Sequence, residues 1–443
     1  MSYKFLMDIA LILVSTKVLG LLTKRYQMPQ VVGALLAGLI LGPAMLNVLQ
    51  ATDFLAQVSE LGVIVIMFTA GMGTDIQELK KTGKAGFVVA LCGVLVPLAM
   101  GAGLAFFFNR GEFAHPGSVL LQNIFIGVIL TATSVSITVE TLKELGKLST
   151  RVGNTILAAA LIDDILGLIA LTVVTSLAGA QVSMVVVFVK IVAFFVFVGV
   201  VGVLVSRLLG WYMTKVMHDK DLHRFPLLAF VLCLVMAFCA EEFFGVADII
   251  GAFSAGVIIA TTPKAKYIES KFSPLSYLLL TPIFFASIGI KVVLPKMDAA
   301  IVLFAVMMVL VAVVSKLIGC GLGAKLCRYS NEECRRIGVG MISRGEVALI
   351  VANKGISSGL MKQDFFGPVV IMVVVTTIVT PVLLKLVYRE KEKTYSDLAT
   401  SPLVEQYEEI KDFDLAVQRM IDINDNLREK GKRREERETA SKK

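Results

Sequence analysis

The sequence predicts an all-α polytopic membrane protein of about 13 transmembrane helices, built as inverted repeats, and three observations carry that reading. Of 443 residues, 56% are apolar before the 36 glycines are counted, and only 18% are charged. The mean hydropathy is +0.80, whereas a soluble domain holds roughly 45–50% apolar residues with glycine included. The apolar positions gather into runs of roughly 17 to 25, the length that lets a helix cross a bilayer. One of these runs recurs far along the chain, an odd number of spans later. A soluble enzyme, a nucleic-acid-binding protein and a disordered chain are excluded by this composition.

Taken in order, the spans run over about 4–23, 27–46, 54–73, 86–108, 120–142, 154–179, 184–212, 226–240, 246–261, 275–290, 299–325, 338–352 and 366–388. The first is not a cleaved signal peptide, because it carries Asp8, lacks an A-x-A site and is followed by Lys24 and Arg25. Loops after odd-numbered spans, counted with Arg207 and Lys325 at the adjoining span ends, hold 19 Lys and Arg, against 5 in the even-numbered loops. Positive loops stay cytoplasmic, so the N-terminus is expected outside and the C-terminus inside. That leaves 1–388 as the membrane domain and 389–443 as a cytoplasmic tail with 13 basic and 14 acidic residues. Phe413, Val417, Met420, Ile421 and Leu427 could line one helical face of the tail. No βαβ unit or glycine fingerprint marks a nucleotide-binding domain there.

Val31-Val32-Gly33-Ala34-Leu35-Leu36-Ala37-Gly38-Leu39-Ile40 in span two is matched by Ile249-Ile250-Gly251-Ala252-Phe253-Ser254-Ala255-Gly256-Val257-Ile258 in span nine. The offset of 218 carries Phe68 to the Phe284-Phe285 region and Thr133 to around 351. Seven spans separate the copies, so they cross in opposite senses and define repeats of about 27–180 and 246–388. Inverted repeats typify secondary transporters, whose sites lie near the midplane on interrupted helices. Thr131-Ala132-Thr133-Ser134 in span five and Gly340-Met341-Ile342-Ser343-Arg344-Gly345-Glu346 in span twelve are the candidate interruptions. The hydroxyls could also back-bond within an ordinary membrane helix.

Charges inside spans are few. Asp163 and Asp164 stand side by side about ten residues into span six. Each ionised carboxylate there costs about 2.5–3.5 kcal/mol on insertion scales. Neighbouring helical residues diverge by about 100°, so one acid can face a partner while the other faces a cavity. Lys316 is the best internal cation, flanked by Gly319, Gly321 and Gly323, unless it snorkels toward Lys325. Arg344 and Glu346 could neutralise each other, or Arg344 could meet an acid elsewhere. Lys17 lies close enough to the end of span one to snorkel, and Glu241, Glu242 and Asp248 stand at the outer mouth. His115, His218 and His223 all fall in loops, so no imidazole relay is expected. The glycines at 319–323 follow no strand and form no phosphate loop. Cys92, Cys233, Cys239, Cys320, Cys327 and Cys334 lack CxxC spacing and read as apolar fillers rather than a disulfide frame or a zinc site.

In their order and spacing, Thr131-Ala132-Thr133-Ser134, Asp163-Asp164, Lys316 within Ser315-Lys316-Leu317-Ile318-Gly319, and Arg344-Gly345-Glu346 resemble the monovalent cation:proton antiporter-2 family. The resemblance spans roughly 5–388 and extends to NapA-like sodium/proton antiporters and Kef-like potassium efflux proteins. It implies a non-enzymatic transporter of the cell (inner) membrane, a homodimer with dimerisation and core subdomains, and two discontinuous helices crossing beside the ion site. By the family's pattern, Asp164 binds the transported Na⁺ or K⁺ and Asp163 partners Lys316, with Thr131, Thr133 and Ser134 beside them. Arg344 and Glu346 then serve as charge partners. No cofactor is implied, and the cargo is a monovalent cation against H⁺. Paired acids resemble the electrogenic members, whereas Kef-like relatives commonly carry an amide first. The alternatives are an electroneutral K⁺/H⁺ efflux antiporter and, further off, a sodium-coupled organic-anion symporter of the same fold.

Overall fold

A computed structural model of the chain describes residues 3–25, 28–74, 76–110, 118–178, 184–215, 224–262, 264–292 and 298–388, without the side chains at 76–80, 184, 209–215 and 346. The tail, the three histidines and the Glu346 side chain therefore lie outside the described residues. All regular structure among the described residues is helical.

Helices α1 (Lys4–Arg25), α2 (Gln30–Leu41), α3 (Asp53–Met72) and α4 (Ile76–Phe108) open the chain, followed by α5 (Val119–Thr131), α6 (Val135–Glu144), α7 (Arg151–Leu177) and α8 (Met184–Lys215). Next come α9 (Arg224–Phe238), α10 (Asp248–Ala260), α11 (Ala265–Leu275) and α12 (Thr281–Ile290). The chain closes with α13 (Ala299–Leu326), α14 (Asn331–Gly340), α15 (Glu346–Ser357) and α16 (Phe366–Tyr388). Single π-turns at Cys239–Phe243 and Ser276–Leu280 extend α9 and join α11 to α12.

Ten helical segments among the described residues are long and apolar enough to cross a membrane, where the sequence suggests thirteen spans. The other three expected spans coincide with the shorter apolar helices Gln30–Leu41, Asp248–Ala260 and Val347–Ser357. At about 1.5 Å per residue each falls short of a hydrocarbon core of roughly 30 Å. Hydropathy continues where helical geometry stops. Gly42 leaves the helix in extended conformation just before Pro43, α10 starts only after Ala247, and a non-helical stretch at 341–345 divides α14 from α15.

The repeated Gly-x₄-Gly segment is used the same way twice. A Cβ on Gly33 would stand 2.6 Å from the Gly20 nitrogen of α1, and one on Gly38 would be 2.7 Å from the Ala286 carbonyl carbon of α12. In α10, a Cβ on Gly251 would lie 2.8 Å from the Met236 carbonyl carbon of α9, and one on Gly256 would lie 3.0 Å from Gly71 Cα of α3. Each helix thus presses its backbone against two neighbours at positions only glycine can occupy. Gly319 and Gly323 do the same for α13 on α4, where an added Cβ would meet the Cys92 carbonyl oxygen at 2.7 Å and Val89 Cα at 2.8 Å. Helix α4, held against α13 by these contacts, also packs along α7, which carries the two aspartates.

Candidate cation site

Helical backbone stops at Thr131 and resumes at Val135, and it stops again at Gly340 and resumes at Glu346. The two irregular stretches touch. Ser134 donates its N–H to the Ser343 carbonyl at 2.9 Å, and the Ser343 hydroxyl donates back to the Ser134 carbonyl at 2.9 Å. Thr138 donates to the Gly340 carbonyl at 2.7 Å. From α16, the Thr376 hydroxyl accepts the Arg344 N–H at 3.2 Å and Thr377 donates to the Arg344 carbonyl at 2.7 Å. Backbone groups freed from helices at membrane depth need such partners. A Cβ on Gly345 would stand 2.9 Å from Ser134 Cβ, so glycine is what lets the stretches approach.

The offset of 218 places the counterpart of Thr133 near 351, but Ser134 meets Ser343, 209 residues away. The ends of α4 and α13, Phe108 and Leu326, still keep the full offset. The difference arises between them and the interruptions. The connection at 327–330 is shorter than that at 109–118, and α14 has 10 residues where α5 has 13.

Asp163 and Asp164 leave α7 in different directions. Asp163 is 2% exposed and Lys316 0% exposed. The lysine Nζ donates to Asp163 Oδ1 at 2.8 Å and to Oδ2 at 3.0 Å, rather than snorkelling toward Lys325. The Thr133 hydroxyl donates to Asp163 Oδ2 at 2.6 Å. Asp164 is only partly buried, and its Oδ2 has no hydrogen-bond partner among the described residues. It lines a cavity of about 440 Å³ that also touches Asp163, Thr131 and Ala132 and extends to Glu60, Glu241, Asp248 and Lys291. Thr131 spends its proton on the Val128 carbonyl at 2.7 Å. Its oxygen lone pairs remain, and with the Asp164 carboxylate they form an oxygen-only donor set of the kind hard cations accept.

Other expected members take different places. Ser134 lines neither that cavity nor the one at the opposite end of the molecule, and its polar groups build the junction of the two interruptions. Among the described residues, Arg344 forms no ion pair with a carboxylate. Its Nη1 donates to the carbonyls of Met341 at 3.3 Å and Ile342 at 2.7 Å, and its Nη2 to those of Leu130 at 2.8 Å and Ala312 at 3.2 Å. The physical reason is local. Where α5 and α14 end, their last carbonyls lose their helical donors and concentrate negative charge, and one guanidinium serves both ends. Lys17 is exposed and stacks over the Tyr277 ring at 5.4 Å.

Sequence reasoning missed Thr138, Thr376, Thr377 and Glu60. The threonines left a signal, since hydroxyls at 376, 377 and 380 interrupt an otherwise aliphatic span. Glu60 left less, being one acid near the start of a span.

Comparison with known proteins gives a consistent picture. A family model described as sodium/hydrogen exchanger, transmembrane, matches residues 10–389. The Na(+)/H(+)-K(+) antiporter GerN of Bacillus cereus is 38% identical over 397 residues, covering 89% of this chain and 98% of that protein. The high-affinity Na(+)/H(+) antiporter NhaS3 of Synechocystis is 30% identical over 88% of this chain and 90% of its own length. Among solved structures, the sodium proton antiporter MjNhaP1 of Methanocaldococcus jannaschii aligns with a TM-score of 0.65 at 18% identity, over 89% of this chain and 100% of that one.

Proposed function

As this chain belongs to the sodium/hydrogen exchanger family, a family of multi-pass membrane transporters and not of enzymes, we propose that it exchanges Na⁺ or K⁺ for protons through competition at Asp164. One observation carries the proposal. Of two adjacent acids, Asp163 is fully engaged by Lys316 and Thr133, while Asp164 lines a cavity and holds a buried oxygen with no partner among the described residues. A carboxylate held ready in this way takes either a cation or a proton, and each expels the other. Loading and release on opposite faces requires alternating access. The inverted repeats, the two interruptions as crossing half-helices, and the rocking of a core subdomain against a dimerisation subdomain supply that motion. The excess of Lys and Arg in one set of loops favours a cytoplasmic C-terminus in the cell membrane. With that orientation, the cavity reaching Asp164 opens outward. A homodimer accords with the same family pattern.

Transport is electrogenic if the Asp163–Lys316 pair opens during the cycle and a second proton moves with the first. It is one for one if the pair stays closed. In everted vesicles with an acid interior, added Na⁺, K⁺ or Li⁺ is expected to dissipate the gradient for the native chain and not for Asp164→Asn. Full exchange by the variant overturns the assignment. Repeating the assay with and without an imposed potential separates the two stoichiometries.

A further inference from the structure

A second cavity contains none of the residues discussed so far as ion ligands. It measures about 470 Å³ and lies among α1, α2, α6 and the π-turn leading into α12, on the side of the positive loops. Two carboxylates from α6 enter it, Glu140 and Glu144, one helical turn apart. They are not alike. Glu144 is spoken for, because both its oxygens accept the Gln30 N–H, at 2.9 and 3.0 Å, capping the start of α2. Glu140 Oε2 is closed to solvent and has no hydrogen-bond partner among the described residues.

The lysines in the same cavity do not satisfy it. Lys143 donates to the Thr69 hydroxyl at 3.5 Å and Lys17 to the Tyr277 hydroxyl at 3.4 Å. A buried carboxylate oxygen without a partner is costly, and the residue that carries it lines the cavity. The hydroxyls of Thr16, Ser276 and Thr281 line the same space. Carboxylate and hydroxyl oxygens are hard donors suited to alkali cations. At about 30 Å³ per water molecule, the volume of about 470 Å³ is large enough for a cation with a full water shell.

Position along the chain links this cavity to Asp164. Helix α6 begins directly after Thr133 and Ser134, and Glu140 sits six residues on, about 9 Å along the axis at 1.5 Å per residue. The cavity at Asp164 and the cavity at Glu140 thus flank the interruption from opposite faces, with carboxylates in both.

We propose that Glu140 is the inner cation-binding station of this protein, a second monovalent-cation site, distinct from Asp164, that the cation occupies on entering from or leaving to the cytoplasmic face. The proposal rests on the antiport reading above. The station concentrates cation at the inner mouth, so its loss raises the concentration needed on that face alone.

The test is sidedness, using full-length protein. Cation-dependent proton exchange is titrated with Na⁺ and K⁺ in everted vesicles, where the cytoplasmic face meets the added salt, and in right-side-out vesicles. For Glu140→Gln, half-saturation in everted vesicles is expected to rise roughly tenfold, the loss of one charged ligand. Exchange at saturation and half-saturation in right-side-out vesicles stay as in the native chain. Glu140→Asp keeps the carboxylate and restores most of the inner affinity, while melting of the purified variants shows that each is folded. Unchanged inner half-saturation in folded Glu140→Gln overturns the station, as does an equal rise on both faces. If the native chain exchanges neither cation, the antiport reading itself has failed, a result distinct from either.

Discussion

The two flanks of α7 differ more than any other adjoining regions of the molecule. On one flank Asp163 touches the same cavity as Asp164 but is sealed by its partners, with a lysine on both oxygens and a threonine hydroxyl on one of them. On the other, Asp164 lines the cavity and keeps an oxygen with no partner among the described residues. Their chemistry is identical and their sequence separation is one residue, so the difference is wholly environmental. Helical geometry sends neighbours about 100° apart, and close packing of α13 on α4 through Gly319 and Gly323 closes one direction only. A fixed charge and an exchangeable charge can therefore come from one dipeptide.

Breaking the sealed flank carries the largest expected effect. Either Asp163→Asn or Lys316→Gln leaves a buried charge uncompensated, which costs about 3–5 kcal/mol and is read as a lowered melting temperature in detergent. Replacing both at once with apolar residues recovers much of that loss. If the single variants melt like the native chain, the flank is not sealed. Lys316→Gln is also expected to change the voltage dependence of exchange. Thr133→Val comes next. It removes a hydrogen bond to a charged group, worth about 1.5–3 kcal/mol, and lowers stability without abolishing exchange. Complete loss of exchange would mean that Thr133 belongs to the open flank. The smallest effect is expected on the open flank's outer rim. Glu241→Gln weakens attraction of cations toward the cavity, slowing uptake from that face by about two- to fivefold at low ionic strength and not at high. A salt-independent loss would point instead to direct ligation.

Much of this was readable without coordinates, and the exceptions have physical causes. Charged residues deep in apolar runs are conspicuous because the bilayer penalises them, so Asp163, Asp164, Lys316 and Arg344 stood out. The division of labour between the aspartates came from resemblance rather than spacing, since adjacency says only that they diverge. Arg344 was visible but its partners were not. A search for opposite charges looks for Asp and Glu, whereas the acceptors here are main-chain carbonyls that any residue supplies. Spans two, nine and twelve were counted as crossings because apolar residues continue past Leu41, before Asp248 and through 341–345, where the backbone is no longer helical. The repeat offset pointed to 351 instead of 343 because a constant offset cannot register a shorter connection at 327–330. Glu140 passed unnoticed for a simpler reason. Near a helix end beside Lys143 and Glu144 it reads as one more solvated charge.

The Arg344 clamp has a genetic consequence. All four of its acceptors are peptide carbonyls, so the side chains at Leu130, Ala312, Met341 and Ile342 can drift without unmaking it. The pairing can be edited at only one of its two ends. Selection for revertants of an Arg344 substitution should return the arginine itself, or changes that relieve the helix ends by another route. Compensating replacements at the partner side chains are not expected, and pairwise covariation would pass over one of the most heavily bonded cations in the chain.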